Sequence, residues 1–314
     1  MKKFLLVLVS VLSLSILLVG CGGGDKKQFL NIATGGTAGT YYPIGGAIAE
    51  ILNKDIPSVN ASAESTGATV ANINMLKEGS VDLAIVQNDI VFYAVNGTEM
   101  FEGKKVDNLR GMLSLYPETC QFVTLEKSGI KSIADLKGKR VAVGAAGSGV
   151  EANVRQILAA YGISFNDIDA QYLSFAEGAN ALKDGNVDVA CLTAGYPTAS
   201  VQDISSQHQI RLLPISSEKA DELIKKYPFY TKTKIPAGSY SGFNEDVDAL
   251  SVMAMLVCTD KISDELGGKI TEALFKNTER LQAAHSVGKY ITKENASKGM
   301  SIPMNKGAEN YLKK

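Results

Sequence analysis

From Phe29 onward, short apolar or alternating runs trade places with stretches in which apolar residues recur every three or four positions. The runs "FLNIAT", "VDLAIV", "QFVTL", "RVAVG", "VDVACL", "IRLLPI" and "LSVMAMLV" read as strands. Residues 43–53, 69–78, 150–161, 176–184, 218–226 and 262–284 carry the helical period. Strands that alternate with helices predict an α/β protein with mainly parallel pairing.

One phrase occurs twice. Residues 76–84 read "LKEGSVDLA" and residues 182–190 read "LKDGNVDVA", a helix end, a glycine cap, a turn and an Asp-bearing strand. Strand "NIAT", loop "GGTAGTYY" and a helix precede the first copy; strand "VAVG", loop "AAGSG" and a helix precede the second. This predicts two α/β lobes of similar plan, which face each other across a cleft at the carboxyl ends of their strands. The apolar stretches "RGMLSLY" to "QFVTL" and "ALSVMAMLV" are long enough to cross between lobes and form a hinge. The chain then divides into lobe I, residues 29–117 and 248–314, and lobe II, residues 118–247.

The loop before residue 43 sets the chemistry expected in that cleft. Gly35, Gly36 and Gly39 allow close backbone approach, and free amides ahead of a helix attract an anion. Neither the P-loop nor the dinucleotide glycine pattern is present in "GGTAGT", which disfavours nucleotides. Thr37, Thr40, Tyr41 and Tyr42 add hydroxyls and aromatic walls suited to a small molecule, although the tyrosines serve equally well as core. Ser65 and Thr66 stand ahead of a helix, as ligand groups or as caps. Gln87 and Asp89 end the first junction strand; Asp89 either meets a ligand ammonium or caps the next helix. Lobe II offers Gly147, Ser148 and Gly149 ahead of a helix, and Thr193, Ala194 and Tyr196 after the second junction strand. The five arginines lie outside these loops, so a bidentate clamp requires Arg110 or Arg155 to reach inward.

Catalytic and metal-binding patterns are sparse. His208 and His285 are far apart, no G-x-S-x-G occurs, and Ser148 has no evident base. Glu64 and Glu177 fall near the cleft but on separate loops. The expectation is a binding protein with no cofactor, no metal and no catalytic residues.

The N-terminus and the cysteines place this body. Lys2 and Lys3 precede an uncharged run from Phe4 to Val19 and then Leu18-Val19-Gly20-Cys21, which reads as a lipoprotein signal over residues 1–20, lipidation at Cys21 and a tether over residues 21–28. Lys and Arg total 32 against 33 Asp and Glu; loss of the two leader lysines leaves a formal −3, which excludes the strongly basic nucleic-acid binders. Three cysteines remain, with no Cys-x-x-Cys pair, so neither a disulfide framework nor a zinc site is expected. Cys191 reads as a buried thiol; whether Cys120 and Cys258 join stays open at this level.

Taken together, "ATGGTAGTYYPIGGAIAEILN", "ESTGATVANINMLKEGSVDLAIVQND", "LYPE", "SIADLKGKRVAVGAAGSGVEANVRQIL", "YPFY" and "IPAGSY" resemble the TAXI family of solute-binding proteins, which serve TRAP transporters. The resemblance implies a two-lobed type II periplasmic-binding-protein fold with a hinge of crossing strands. It further implies a monomer that captures a glutamate- or glutamine-like carboxylate and delivers it to TRAP permease subunits, and it places the pocket at the loop, strand-end and turn residues named above. The tail departs from the pattern, with Asn305 and Lys306 where His-Pro is usual. A receptor-coupled sensor is the alternative, and an enzyme on the same fold the remoter one.

Overall fold

The computed structural model describes residues 27–314. The leader, Cys21 and all but the last two residues of the tether fall outside the described residues.

The chain runs β1 (Gln28–Ala33), α1 (Tyr41–Asp55), β2 (Val59–Glu64), α2 (Thr69–Glu78), β3 (Leu83–Gln87), α3 (Asn88–Asn96) and then β4 (Leu109–Leu125). A second set follows: β5 (Arg140–Ala142), α4 (Gly149–Ala160), β6 (Asp169–Gln171), α5 (Phe175–Lys183), β7 (Val189–Ala194) and α6 (Ala199–Gln207). β8 (Ile210–Leu212), α7 (Ser217–Lys226), β9 (Thr231–Ile235), β10 (Val247–Thr259), α8 (Asp264–Lys276), α9 (Thr278–Ala284) and α10 (Lys306–Leu312) complete it.

The strand order is β2-β1-β3-β10-β4-β7-β5-β6, with β8 on β4 and β9 on β10. The outer trios are parallel. The central pair is antiparallel: β4 and β10 run together from Thr119 opposite Ser251 to Leu109 opposite Thr259. Both strands pass from one half of the sheet to the other. β10 pairs with β3 through residues 254–258 and with β9 through residues 247–251, and β4 pairs with β7 through residues 119–124. The expected crossing strands are therefore single, unbroken elements.

Each half has helices on both faces of its strands. In the first, Ile44, Ile48 and Leu52 of α1 join Ile270 and Leu274 of α8 on one face, and Ile73 and Leu76 of α2 join Ile90 and Val91 of α3 on the other. In the second, Val154 and Ile157 of α4 join Leu223 of α7, opposite Leu182 of α5 and Val201 and Ile204 of α6.

The repeated phrase has a structural cause. Each copy closes its helix with a left-handed glycine, Gly79 (φ 76°) and Gly185 (φ 76°), where a Cβ would be strained. The aspartate that follows then secures the neighbouring parallel strand. Asn31 N donates to Asp82 Oδ2 at 2.8 Å, and Arg140 N donates to Asp188 Oδ2 at 2.9 Å. Asp82 N and Asp188 N return bonds to the carbonyls of Asn31 and Arg140. The aspartate thus supplies an acceptor for a neighbouring-strand amide at the point where the two strands begin to pair.

Several elements escape the sequence pattern. The apolar run of α3 follows β3 without a turn and lacks a helical period. β2 and β9, "VNASAE" and "TKTKI", are built of small or charged residues. The long helix expected over 262–284 breaks at Asn277, whose Nδ2 donates to Ala273 O at 2.8 Å and Asp55 Oδ2 at 2.6 Å. Cys120, Cys191 and Cys258 are free. Cys258 lies opposite Arg110 in the β4–β10 ladder, whereas Cys120 lies beside Thr119, which faces Ser251, so the two thiols sit about 25 Å apart at ordinary strand rise.

Candidate functional site

Five helices start at one cavity. Its lining takes Thr40 and Tyr41 from the start of α1, Ala68 and Thr69 from α2, and Gln87 ahead of α3. Ser148, Gly149 and Val150 come from α4, and Ser174 and Phe175 from α5. Gly35, Gly36, Gly39, Thr66, Gly67, Glu118, Ala145, Thr193 and Ala194 complete a space of about 610 Å³, mouth included. First-turn amides have no acceptor within their helix, and the aligned peptide dipoles make each of these ends electropositive. Among the described residues, no Lys, Arg or His lines the cavity.

The side-chain hydroxyls are mostly committed to the protein. Ser148 Oγ accepts from Glu151 N at 3.3 Å, and Ser174 forms a capping box with Glu177. Thr66 Oγ1 accepts from Ala68 N at 3.0 Å, close to Thr34 O and Asn72 Oδ1. Ala68 itself is held at φ 70°, a conformation rarely adopted outside glycine, at the cavity wall. Backbone amides and the apolar faces of Tyr41, Val150 and Phe175 are therefore the principal surfaces left for a solute.

Contacts between the two halves close the cavity. Val70 N donates to Gly147 O at 3.1 Å, Ser200 N to Ala38 O at 3.3 Å, and Thr40 Oγ1 to Gly195 O at 3.3 Å. Behind the cavity a buried polar chain crosses between halves. Gln87 Nε2 donates to Asn153 Oδ1 at 2.7 Å, Asn153 Nδ2 donates to Asp89 Oδ2 at 2.9 Å, and Tyr230 O–H donates to Gln156 Oε1 at 2.7 Å.

Of the residues singled out in the sequence, Gly36, Gly39, Thr40, Tyr41, Thr66, Gln87, Ser148, Thr193 and Ala194 lie in the wall. Thr37, Tyr42 and Ser65 face solvent, and Tyr196 donates its O–H to Lys234 O at 3.2 Å, away from the space. Gly147 sits beside the cavity as the acceptor for Val70 N. Asp89 neither lines the cavity nor meets solvent, being buried behind Gln87. Arg155 pairs with Glu151 at 2.9 Å over the Phe165 ring and Arg110 with Asp260 at 3.9 Å, so neither reaches inward. Sequence reasoning passed over Thr69, Phe175, Asn153 and above all Glu118. The signal for Glu118 was the lone acidic residue of β4, next to Pro117.

Burial governs the acids here. It raises Asp89 to about 6, against the pull of Asn153 and two backbone amides, and its Oδ1 has no partner among the described residues. A folded-state value above the unfolded one means that stability is fully present below the unfolded value of 3.8 and is lost as pH rises through about 6. The change amounts to about 3 kcal/mol for an unfolded value near 3.8. Asp89→Asn is expected to flatten that slope; equal slopes for both proteins in urea titrations between pH 4 and 7 would remove Asp89 as its source. Glu118 is driven further, well above the carboxylate range, by burial and by the nearby Asp89, while the Tyr41 hydroxyl that donates to Oε2 at 3.0 Å pulls the other way.

A family model described as NMT1-like matches residues 32–314. The chain belongs to the NMT1-like family. An Escherichia coli (strain K12) protein described as aliphatic sulfonates-binding is 29% identical over 154 residues, 48% of this chain and 46% of that protein. The NMT1-like chain thus aligns with about half the length of that curated relative. The crystal structure of the periplasmic aliphatic sulphonate binding protein SsuA from Escherichia coli matches at TM-score 0.52 and 20% identity, over 91% of this chain and 78% of the other. A structure described as a periplasmic transporter matches at TM-score 0.58 and 12% identity, over 91% of both chains.

These likenesses show the type II periplasmic-binding-protein α/β fold. The curated relative and SsuA are binding proteins, not enzymes. The resemblance to the TAXI family is overturned: the model that spans the NMT1-like chain is a different one, and the curated relative is named for aliphatic sulfonates. The expectations of a TRAP permease and of glutamate rested on that resemblance and lose their basis with it.

Proposed function

We propose that this protein is an extracytoplasmic solute-binding protein that captures a small organic anion with a short aliphatic body, a sulfonate or carboxylate, and hands it to an ABC permease. The observation that carries the reading is the convergence of five helix N-termini on one cavity walled by amides, Tyr41, Val150 and Phe175, with no side-chain cation among the described residues. Amides and helix ends hold the head group without a counter-ion, and the aromatic and aliphatic walls take the body. The sulfonate-binding relatives favour the same head group.

The lobes in this reading are residues 29–117 with 248–314, and residues 118–247, hinged on β4 and β10. Closure is stabilised by contacts that a solute makes with both lobes at once. A lipid on Cys21 would tether the protein at the membrane face; Cys21→Ser would then move it from the membrane to the soluble fraction.

The test is a thermal-shift panel of C1 to C6 alkanesulfonates, matching carboxylates, amino acids and sugars on protein first unfolded and refolded to strip carried-over solute. At about a hundredfold excess over Kd the true class adds roughly 2.7 kcal/mol, a shift of several degrees. A response to sugars or cations alone sinks the reading.

A further inference from the structure

Glu118 projects from β4 into the cavity wall and is 1% exposed. A carboxyl group this deeply buried is ordinarily ionised against a cation or hydrogen-bonded as an acid. The groups packed around it are Tyr41 from α1, Thr69 from α2, Asp89 from α3, and Tyr116 and Cys120 on its own strand. Among the described residues, neither these neighbours nor the cavity wall supplies a Lys, Arg or His. With Tyr41 donating to Oε2 at 3.0 Å, the place left for an acid proton is Oε1.

We propose that Glu118 enters the closed site as a neutral carboxylic acid whose Oε1–H donates to the head group of the bound anion, so that each solute is captured together with one proton. This rests on the anion-binding reading above and adds the group that chooses between solute classes. An ionised Glu118 would repel a sulfonate or carboxylate and welcome an ammonium. A neutral one adds a donor to the ring of helix amides, and the approaching negative charge holds its proton in place. When the lobes part, water reaches the carboxyl group and it ionises near its ordinary value, so closure on an anion at neutral pH draws a proton from solution.

The sign follows from linkage. The carboxyl group has a higher pKa closed than open, so affinity is full below the open-form value and falls as pH rises, approaching tenfold per unit. Asp89, at about 6 when buried, is ionised above pH 7 in either form and adds no uptake there.

The experiment is isothermal titration calorimetry at pH 7.5, with ethanesulfonate and butyrate as probes, in two buffers of different ionisation enthalpy. The expected result is close to one proton taken up per solute bound and a Kd that rises severalfold to tenfold between pH 7 and 8. Glu118→Gln, which keeps a donor, is expected to bind the same anions with no proton uptake and little dependence on pH. Anion binding without proton uptake in the wild-type protein overturns the proposal and leaves the anion reading standing. Binding of amino acids or amines that tightens as pH rises overturns the proposal in favour of an ionised Glu118. Failure of every anion overturns both.

Discussion

Gly149→Val is expected to weaken solute binding at least a hundredfold while leaving the melting midpoint of the solute-free protein within a few degrees of wild type. Gly149 is the first residue of α4 and lies in the cavity wall. A Cβ there would fall inside the contact radius of Gln87 Oε1, 2.5 Å from Gln87 Cδ and 3.2 Å from Ile90 Cγ1. Gln87 cannot swing aside freely, because its Nε2 is held by Asn153 Oδ1 at 2.7 Å and the side chain is buried. Gly149 belongs to the half containing β5 to β7, whereas Gln87 and Ile90 belong to the half containing β1 to β3. The collision therefore exists only when the halves are together and is relieved by opening. The variant folds and stays open, and the energy of closure is lost from the affinity. Calorimetry supplies the Kd and small-angle scattering the closure; a Kd within threefold of wild type would show that Gln87 yields.

Gly307→Val is expected to cost on the order of 3 kcal/mol of stability, through backbone rather than side chain. Gly307 is the second residue of α10 and packs against the first turns of α8. A Cβ would overlap the Asp264 carbonyl and stand 2.7 Å from Gly268 N. Both are main-chain atoms of a packed helix, and neither has a rotamer to change. The same junction explains Asn305. Asn305 Oδ1 accepts from Gly307 N at 3.0 Å and Ala308 N at 3.2 Å, and its Nδ2 donates to Ile262 O at 3.0 Å. That buried side chain caps α10 and fastens it to the start of α8. Scanning calorimetry should show a midpoint several degrees lower for Gly307→Val. An unchanged midpoint would mean that α10 moves off without loss.

The features legible in the sequence were those whose physics is local. A helix that must stop, turn and present an aspartate to the adjacent strand needs a fixed phrase, and the phrase at 76–84 and again at 182–190 exposed the duplicated plan. Glycine and threonine loops ahead of helices located most of the cavity wall for the same reason. Glu118 was out of reach because its partner, Tyr41, is 77 residues away, and Asn153 because its bond to Asp89 spans 64. Asp89 itself shows the limit: two residues beyond Gln87, it turns into the protein rather than toward the cavity. The quoted motifs led to the right fold under the wrong family, since glycine loops at helix starts are demanded by the architecture and are a poor guide to which branch of it a chain occupies.

The path of β10 bears on how the chain is made. The parallel trio β1 to β3 is laid down by Gln87, yet the strand that covers the β3 side of its sheet begins at Val247. For roughly 160 residues of synthesis, some ten to thirty seconds at ordinary elongation rates, β3 presents an apolar strand edge with no partner. All five of its residues are buried in the finished protein. Such an edge invites pairing with any strand nearby, including that of a neighbouring nascent chain. Elongation thus passes through an interval in which something other than the native fold must shield the chain, and the last quarter of the sequence ends that dependence.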